Sequence, residues 1–521
     1  MNSNIPATTK NEKPKSYADR LGAYYAKEVS QTHKKTQGQF FTPLKIASYM
    51  ASLAISEKTD ITLLDPGCGT AVLSCSLVEH LISENPYIQH IHLAAYETDQ
   101  QLIPLTQKSL NYLQQWAQEK DITLDYKLYT ADFVLDNYES LYTESSIFDN
   151  QKTRYDFIIC NPPYFKLSKE DKRVKATAII TDGQPNIYAA FLAIASRLLK
   201  GDGEMIFITP RSFTSGRYFN SFRDYFFKQV QFDFIHLFES RKDTFGKDKV
   251  LQETLILRAK PLRLGNTPEI CLASSSGLQD IASSQKKMYP QSTLINLNSK
   301  EKIIHLPTND KQEAIINLFK SWKGSLNQYD IQISTGPVVA FRVRDFIKET
   351  NQGKTTLLYW LHNVLKMGLI YPLYKPNKPP YIQVCEQTKA YLIPNRNYVF
   401  LRRFSAKDDK SRLIAAPYFS SPETPMWIGV ENKLNYIYRP KGHLSRTEVM
   451  GIVALLNSEL FDTYFRTFNG NVNVSATELR AMPMPPLETI KEIGKTLILL
   501  NDFSMENVSK VVASFFKLEQ L

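Results

Sequence analysis

Short apolar runs alternate with helical patterns over the first half of the chain. Each run has the length of a strand, and between the runs apolar positions recur every three or four residues, as they do in helices. The runs are 61–65, 91–96, 126–130, 155–160 and 204–209, and helical spacing follows at 71–82, 100–116 and 184–199. Two later segments, 231–238 and 249–258, alternate like an antiparallel pair. This order predicts an α/β fold with a mostly parallel sheet and helices on both faces.

The alternation of strands and helices stops near Pro261. The segment 262–310 is rich in Ser, Asn and Pro, and the sequence beyond it is less regular. A capping box at 445–448 predicts one long helix to about Phe468, and a last helix is predicted at 487–516. We therefore divide the chain into a flexible tail, an α/β domain and a mixed α+β domain, with bounds 1–15, 16–260 and 261–521.

Composition narrows the class of protein. A chain of 521 residues exceeds one typical core, which agrees with two domains. The net charge of +11 indicates a polyanionic partner, because clustered Lys and Arg bind phosphates, although a charge that serves only solubility is the alternative. The five cysteines form no CxxC pair, as in a cytosolic protein with reduced thiols. No signal peptide or long apolar run is found, so we expect a cytoplasmic protein without a membrane partner.

Acidic residues and glycines stand where the first three strands end. Asp65 leads into Gly67 and Gly69, where the missing Cβ lets a ligand approach the backbone. Glu97 ends the second strand about thirty residues later, where such folds place an acid against ribose hydroxyls. Asp132 follows the third strand. The spacing matches neither GxGxxG nor a complete Walker loop, so it favours neither a dinucleotide nor a nucleoside triphosphate.

The fourth strand delivers Asn161-Pro162-Pro163-Tyr164 to the same edge of the sheet. Proline has no N–H, so the carbonyl oxygens and the Asn161 amide oxygen can accept hydrogen bonds, and Tyr164 offers a face for stacking. An aromatic amine such as adenine N6 is a poor nucleophile, and two acceptors on its hydrogens would relocalise its lone pair. In isolation the tetrapeptide also fits an ordinary turn. Its place in a row of ligand-binding strand ends favours an amine-binding site.

No residue pattern indicates metal or thiol chemistry. His90 and His92 alone have ligand spacing, and both fit ordinary strand positions, so we expect no metal. Cys160 fits a buried strand thiol, and no Pro-Cys nucleophile for methylation of a ring carbon is present.

Basic residues alternate with aromatic residues at several places in the second domain. This combination suits phosphate contacts together with base-edge or stacking contacts. Solvated strand faces are the alternative, because Asp408 and Asp409 dilute one of the basic runs. The candidate DNA-binding residues are Arg342, Arg344, Lys375, Lys378, Arg402, Arg403, Lys407 and Arg412.

Taken together, these motifs resemble the gamma-class, or Taq-like, DNA adenine-N6 methyltransferases of type II restriction-modification systems. The segment 37–43 resembles the motif that closes over S-adenosylmethionine in that class, 65–70 its glycine loop and 161–164 its acceptor motif. The motifs cover about residues 37–258. The resemblance implies a Rossmann-like, S-adenosylmethionine-dependent methyltransferase sheet followed by a DNA target-recognition domain.

The resemblance also implies roles for individual residues. Asp132 would face the adenine amine of the donor, and Asn161 with the Pro162 carbonyl would accept the hydrogens of the target amine. Tyr164 and Phe245 would clamp an adenine flipped out of duplex DNA. The implied S-adenosylmethionine contacts are Gln39, Phe40, Thr42, Asp65, Gly67, Gly69, Glu97, Asp132 and Asn161.

Segments of the second domain, 336–344, 402–407 and 469–480, resemble recognition domains of stand-alone methylases. Since no nuclease constellation is present, we expect a separately encoded endonuclease as a functional rather than a physical partner. Three alternatives stay open: a cytosine-N4 methyltransferase, an RNA or protein-glutamine methyltransferase, and a non-catalytic DNA-specificity subunit. Asn161 disfavours the first, where serine usually leads the motif. The large basic second domain disfavours the second, and the intact strand-end residues disfavour the third.

Overall fold

A computed structural model describes residues 5–30, 33, 38, 41–143, 153–183, 185–239, 253–263, 265, 268–405, 409–470 and 473–516. The chain forms two compact units, residues 1–306 and 307–521. Within the described ranges, every helix is too short or too polar to cross a membrane.

The described part of unit 1 contains one sheet of nine strands. They are β1 Asp60–Asp65, β2 His90–Tyr96, β3 Thr123–Tyr129, β4 Tyr155–Cys160, β5 Leu199–Pro210, β6 Val230–Phe238, β7 Thr254–Pro261, β8 Glu269–Ser275 and β9 Gln285–Pro290. Their order across the sheet is β3-β2-β1-β4-β5-β7-β6-β8-β9. The first five neighbours pair in parallel, and β7 runs antiparallel to both β5 and β6.

Helices cover both faces of this sheet. They are α1 Pro14–Glu28, α2 Leu44–Ala51, α3 Val72–Glu84, α4 Ile103–Gln118, α5 Phe133–Asn137, α6 Lys172–Ala176, α7 Ile187–Arg197, α8 Asn220–Phe226 and α9 Gln291–Leu294. Two apolar clusters fill the space between strands and helices: one contains Met50, Leu77 and Leu110, and the other contains Phe133 and Ile194. Because both faces are covered, the central strands are apolar almost throughout, which is why the sequence shows them as continuous runs. The predicted α/β fold class is confirmed.

Chain order places a ligand-binding crevice at one edge of the sheet. From β1 the chain moves outward to β2 and β3 and then returns to the other side of β1 as β4. This reversal separates the loops that leave β1 and β4, and in open α/β sheets ligands bind in the crevice so formed. The residues that end β1, β2 and β4 therefore meet there.

The boundary between the two units differs from the one placed at Pro261. Strands β8 and β9 lie beyond that proline and extend the first sheet, so unit 1 ends at Leu306. β8 has a short apolar run and β9 has a single buried residue, Tyr289, so neither strand is evident within a segment rich in Ser, Asn and Pro.

Unit 2 combines small sheets with helices. Its described strands are β10 Gln332–Thr335, β11 Ile347–Lys348, β12 Thr355–Tyr359, β13 Val364–Leu365, β14 Gly368–Leu369, β15 Tyr381–Gln383, β16 Leu392–Pro394, β17 Tyr398–Arg402, β18 Ala415–Tyr418, β19 Trp427–Val430 and β20 Leu434–Tyr438. One described sheet has the order β10-β20-β17-β18 and another the order β11-β15-β12-β19-β16. The helices are α10 Asp310–Ser321, α11 Glu386–Lys389, α12 Arg446–Asn457, α13 Glu459–Phe468, α14 Ala476–Ala481, α15 Leu487–Leu500 and α16 Met505–Phe516.

Two predicted long helices of unit 2 are each broken once. The predicted capping box is present at the start of α12, where Ser445 and Glu448 cap each other's backbone N–H groups. The helix then ends at Asn457, and Ser458 caps α13 by accepting a hydrogen bond from the N–H of Phe461. The predicted last helix breaks at Asn501, whose φ of +50° ends α15.

Candidate active site at the edge of the sheet

A cleft lies at the predicted ligand-binding edge of unit 1. It is bounded by the loops that follow β1, β2, β3 and β4 and by the start of α7. Of the residues predicted from the sequence to bind a cofactor, the cleft is lined by Thr42, Gly67, Gly69, Glu97, Asp132 and Asn161. The sheet therefore brings together residues that are more than one hundred positions apart in the chain.

The loop between β1 and α3 forms the floor of the cleft. Gly69 has a φ of +56°, a conformation that L side chains rarely adopt, so glycine is needed there. Its carbonyl oxygen accepts a hydrogen bond of 2.6 Å from the Thr106 hydroxyl, and the N–H of Cys68 donates to the Tyr96 carbonyl at 2.9 Å. The loop is thus fastened to both α4 and β2, which keeps its backbone open to a ligand.

Asp65 lies beneath this loop and does not line the cleft. Its side chain is completely buried, and the Ser74 hydroxyl donates a hydrogen bond of 2.7 Å to its carboxylate. Burial raises the pKa of Asp65 to about 7. The expected direct contact with the cofactor is therefore corrected: Asp65 supports the glycine loop from below.

Glu97 links the ends of β1 and β2. One carboxylate oxygen accepts a hydrogen bond of 3.1 Å from the N–H of Gly69, and the other accepts one of 2.8 Å from the N–H of Asp99. Burial raises the pKa of Glu97 to about 7 despite these hydrogen bonds. The carboxylate is held rigidly on the wall of the cleft, in a position suited to accept hydrogen bonds from sugar hydroxyls.

Asp132 stands on the rim, where its carboxylate caps a helix. One oxygen accepts hydrogen bonds from the N–H groups of Val134 and Leu135 at 2.9 and 3.1 Å. The other lies 3.4 Å from the Arg173 guanidinium, which also lines the cleft. The expected contact with an adenine amine would have to use this second oxygen.

The Asn161 side chain is oriented from both sides. Its amide nitrogen donates to the Thr42 hydroxyl at 3.0 Å, and its amide oxygen accepts a hydrogen bond of 2.5 Å from the Tyr164 hydroxyl. The same hydroxyl lies 3.0 Å from the carbonyl oxygen of Ile208, near the end of β5. A hydroxyl-oxygen acceptor on one side and a hydroxyl donor on the other leave the amide one favourable orientation.

The other members of the predicted acceptor motif differ in exposure, since Pro163 and Tyr164 are only partly buried. Pro162 is buried and does not line the cleft, whereas Pro163 does. The Tyr164 ring packs edge-on against Tyr188, with 6.3 Å between ring centroids. Burial raises the pKa of the Tyr164 hydroxyl well above its ordinary value, so the hydroxyl stays protonated and remains a donor.

Sequence reasoning missed the apolar walls of the cleft. They include Phe41, Phe133, Phe165, Ile187 and Phe191. Phe133 and Phe165 each directly follow a predicted site residue or motif, so their strand-end position was a usable signal. Phe191 lies on α7 and reaches the cleft only because that helix packs back on the sheet. Flat apolar walls beside the Glu97 carboxylate fit a nucleoside, which has an aromatic base and ribose hydroxyls.

Four predicted residues fall outside the described ranges. They are Gln39, Phe40, Phe245 and Lys407.

The candidate DNA-binding residues of unit 2 differ in exposure. Arg342, Arg344 and Lys375 are exposed. Lys378 is half-buried, with its ammonium group 4.2 Å from the centroid of the Trp360 ring. Two further arginines are also half-buried: Arg402 donates to the Val364 carbonyl at 2.8 Å, and Arg403 donates to the Asn432 carbonyl at 3.1 Å.

Arg412 is an interior residue, which corrects its expected role at the surface. It is 1 % exposed, and its guanidinium donates to the Ser405 hydroxyl at 3.1 Å and to the Asn469 amide oxygen at 2.8 Å. The Phe465 ring lies beneath it at 5.9 Å. A side chain so enclosed supports the fold and cannot reach a phosphate.

The known proteins that are similar to this chain are methyltransferases and restriction-modification enzymes. Residues 48–245 match the Eco57I restriction-modification methylase family. The type II methyltransferase M.BsuBI of Bacillus subtilis is 33% identical over 490 residues, 94% of each chain. The type II methyltransferase M.PstI of Providencia stuartii is 29% identical over 93% of this chain and 94% of its own length. Among solved structures, the type IIL restriction-modification enzyme MmeI, in complex with DNA, shares the fold with a TM-score of 0.52 at 11% identity, covering 96% of this chain and 74% of its own.

The fold, the cleft and these similarities define an S-adenosylmethionine-dependent methyltransferase. More particularly, the chain belongs to the type II DNA methyltransferases of restriction-modification systems. S-adenosylmethionine is the cofactor of this family, and the nucleoside-shaped cleft beside Glu97 fits it.

Proposed function

We propose that this methyltransferase modifies the exocyclic N6 of adenine in duplex DNA and that the adenine is flipped out of the helix to reach the cleft. The observation that carries the proposal is the Asn161 amide, fixed between Thr42 and Tyr164 on the wall of the cofactor cleft. We also propose that unit 1 catalyses the transfer and that unit 2 recognises the DNA target.

The residues of the cleft would act by polarising and positioning the target amine. The Asn161 amide oxygen and the Pro162 carbonyl would each accept one amine hydrogen, which increases electron density on N6. When bound, S-adenosylmethionine supplies an electrophilic methyl group. Two acceptors at fixed positions hold the amine for transfer and favour its more polar transition state, so positioning and hydrogen bonding provide the catalysis.

The Tyr164 hydroxyl would give up its hydrogen bond to the Asn161 amide oxygen when the substrate amine binds. It has one hydrogen and two acceptors within reach, the Asn161 amide oxygen and the Ile208 carbonyl. When an amine hydrogen binds to Asn161, the hydroxyl can donate to Ile208 instead, so no buried donor is left without a partner. An amide oxygen also has two lone pairs and can accept both donors.

Base flipping is proposed because the amine of a paired adenine lies inside the base stack. A cleft at the edge of a sheet admits one base at a time, and enzymes that modify bases in duplex DNA extrude their target. The aromatic partner of the flipped base is proposed to be Tyr164, with Phe245 as the second clamp. A cognate endonuclease, separately encoded, would cut the same sequence when it is unmethylated.

Analysis of the product tests the choice of base. The purified protein is incubated with plasmid DNA and S-adenosylmethionine, and the DNA is digested to nucleosides for mass spectrometry. We expect N6-methyladenine. Detection of N4-methylcytosine instead would show that the enzyme methylates an exocyclic amine, but the amine of cytosine rather than that of adenine.

Substitution of Asn161 tests the site itself. Asn161→Ala removes the proposed acceptor, and we expect methyl transfer to fall at least about 100-fold, the effect typical of losing one transition-state hydrogen bond. Binding of S-adenosylmethionine, measured by calorimetry, should weaken far less than methyl transfer does, because Asn161 is only one of the residues that line the cofactor cleft. If the variant labels plasmid DNA as fast as wild type, Asn161 is not the acceptor.

A further inference from the structure

Unit 2 presents an unusually exposed aromatic residue that is followed closely in the chain by two arginines. Phe341 is 78% exposed, more than any other aromatic side chain among the described residues. The Arg342 guanidinium lies 5.6 Å from its ring centroid, and Arg344 is also exposed. Among the residues that the structure describes, none forms an ion pair with either arginine. An aromatic face and two cations are therefore presented to solvent together.

The turn that carries Phe341 is firmly seated, so its exposure does not come from a loose chain. The N–H of Gly336 donates to the Leu434 carbonyl at 2.8 Å, and a Cβ at Gly336 would lie 2.1 Å from the Glu431 carbonyl oxygen. Val338 and Val343, on either side of Phe341, are 0% and 3% exposed and pack in one apolar cluster. The ring is therefore held in solvent by its anchored surroundings, where a partner can reach it.

Three separate basic segments bind to one turn, which we name the 431–433 turn. The N–H of Asn432 donates to the Val338 carbonyl at 2.9 Å, and Val338 lies three residues before Phe341 in the chain. Arg403 donates its guanidinium to the Asn432 carbonyl at 3.1 Å and its backbone N–H to the Lys433 carbonyl at 2.9 Å. Lys378 lies 3.4 Å from the Glu431 carboxylate. Tertiary structure thus gathers the segments 336–344, 375–378 and 402–404.

The charge around the 431–433 turn is positive at the surface. Glu431 is 2% exposed and pairs with Lys378, so its negative charge is not presented to solvent. Lys433 is exposed, and so is Asp345, the acidic neighbour of Arg344, so Arg342, Arg344 and Lys433 outnumber this one exposed acid. Guanidinium groups suit phosphates, and an aromatic ring suits the face or edge of a base, so the combination fits nucleic acid.

We propose that Phe341, Arg342 and Arg344, seated on the 431–433 turn, form a DNA-reading surface in which Phe341 contacts bases and the two arginines contact phosphates. The inference rests on the proposed function to the extent that it takes duplex DNA recognition as the task of unit 2. It adds Phe341 as the base-contacting residue and the 431–433 turn as the element that positions it.

Salt-dependent DNA binding separates the two kinds of contact. The probe is a linearised plasmid that the wild-type protein labels with methyl groups, and affinity is measured between about 50 and 200 mM salt. Phe341→Ala should weaken binding about 10- to 100-fold without changing the salt dependence, because an aromatic contact releases no counterions. Phe341→Trp should keep most of the affinity. Replacing both arginines by glutamine should reduce the slope of log affinity against log salt by about two.

Matched controls keep the result interpretable. Tyr87 is an aromatic residue of unit 1 with 73% exposure, so Tyr87→Ala removes a comparable ring at a different place and should bind DNA like wild type. All variants should show the circular dichroism spectrum and urea unfolding transitions of the wild type, because cofactor binding reports on unit 1 and the Phe341 and arginine changes lie in unit 2.

Two outcomes would overturn the inference. One is a folded Phe341→Ala variant with wild-type affinity for the plasmid. The other is loss of self-association in that variant, seen by sedimentation, with DNA binding unchanged, which would assign the surface to a second copy of the chain. Failure of the proposed active site is distinguishable, because it appears as unchanged labelling by Asn161→Ala whatever the Phe341 variants do.

Discussion

At the scale of single residues, the contact between Thr42 and Asn161 changes how the site is understood. Thr42 was expected to touch the cofactor, and the structure shows that its hydroxyl also accepts a hydrogen bond from the Asn161 amide nitrogen. Thr42 is 7% exposed, so no bulk water can easily replace it. Its role toward Asn161 is one of positioning.

Thr42→Val tests this positioning role, since valine keeps the shape and removes the acceptor. The Asn161 amide can then rotate, and we expect kcat to fall about 10-fold or more with little change in KM for DNA. Thr42→Ser should restore most of the activity because it restores the hydroxyl. Equal kcat values for the valine variant and wild type would show that the amide needs no such support.

The raised pKa of Glu97 predicts how cofactor binding depends on pH. With a pKa of about 7, the carboxyl is largely neutral at pH 6 and charged at pH 8. S-adenosylmethionine carries a sulfonium cation, which favours the charged carboxylate, so its binding should tighten as pH rises through 7. The slope should not exceed about tenfold in Kd per pH unit for one linked proton.

Calorimetry at several pH values checks this dependence. S-adenosylhomocysteine is the control ligand, because it lacks the sulfonium charge and keeps the other titratable groups. Glu97→Gln should remove the difference between the two ligands. A pH dependence that persists unchanged in Glu97→Gln would assign it to another group.

The raised pKa of Asp65 predicts that the stability of the folded protein depends on pH. Its pKa is about 7 in the folded protein and close to 4 in an unfolded chain, so between these values only the unfolded chain ionises. Its contribution to stability is therefore complete below about pH 4 and is lost as pH rises through 7. Asp65→Asn should be relatively more stable at pH 8 than at pH 5, by about 1–3 kcal/mol in the difference from wild type. Urea unfolding at the two pH values measures this, and parallel behaviour of both proteins would contradict it.

At the scale of elements, the segment 166–183 contains a helix that its sequence does not show. The segment is polar and lacks apolar periodicity, which is typical of a loop, yet it contains α6, capped by the Asp171 side chain. From α6 the Arg173 guanidinium pairs with Asp171 at 2.6 Å and lies 5.5 Å from the centroid of the Phe165 ring. A helix of five residues is too short to show a period in the sequence, so only its contacts reveal it.

Arg173→Ala tests whether α6 forms part of the cofactor site. Loss of the guanidinium removes a cleft wall and the partner of Asp132, and we expect Kd for S-adenosylmethionine to rise about 5- to 10-fold. Lys175→Ala, an exposed change on the same helix, is the matched control and should bind the cofactor normally. Unchanged affinity in the Arg173 variant would place α6 outside the site.

The breaks in the two long helices predicted for unit 2 also could not be predicted from local sequence patterns. A capping box signals where a helix starts, because it needs only residues three positions apart. The end of α12 depends on Ser458, whose side chain caps the next helix, and a serine at this spacing also occurs inside helices. The break is therefore visible only once the neighbouring segments are packed.

At the scale of the whole molecule, composition indicated a polyanionic partner and two domains, and the chain is a two-unit DNA methyltransferase. The positive charge that matters is local. Arg412 contributes to the net charge but lies in the interior, whereas Arg342 and Arg344 remain at the surface. A count of basic residues cannot separate these cases.

The sequence by itself determined seven of the nine described strands of the sheet in unit 1 and the identity of its ligand-binding edge. Apolar runs of strand length with glycine or polar residues after them are sufficient, because the carboxyl ends of parallel strands share one edge. Gly67, Gly69, Glu97 and Asn161 therefore meet without any further information. The order of these residues along the chain also sufficed for the resemblance to adenine methyltransferases.

Only the tertiary structure decided where each side chain points and which distant segments meet. Asp65 turns inward, Thr42 pairs with Asn161 and Arg412 is enclosed because of residues far away in the chain. The 431–433 turn likewise gathers segments about thirty to one hundred residues away. Periodicity reports the face that a residue occupies within its own element, and contacts between elements depend on packing that no local pattern contains.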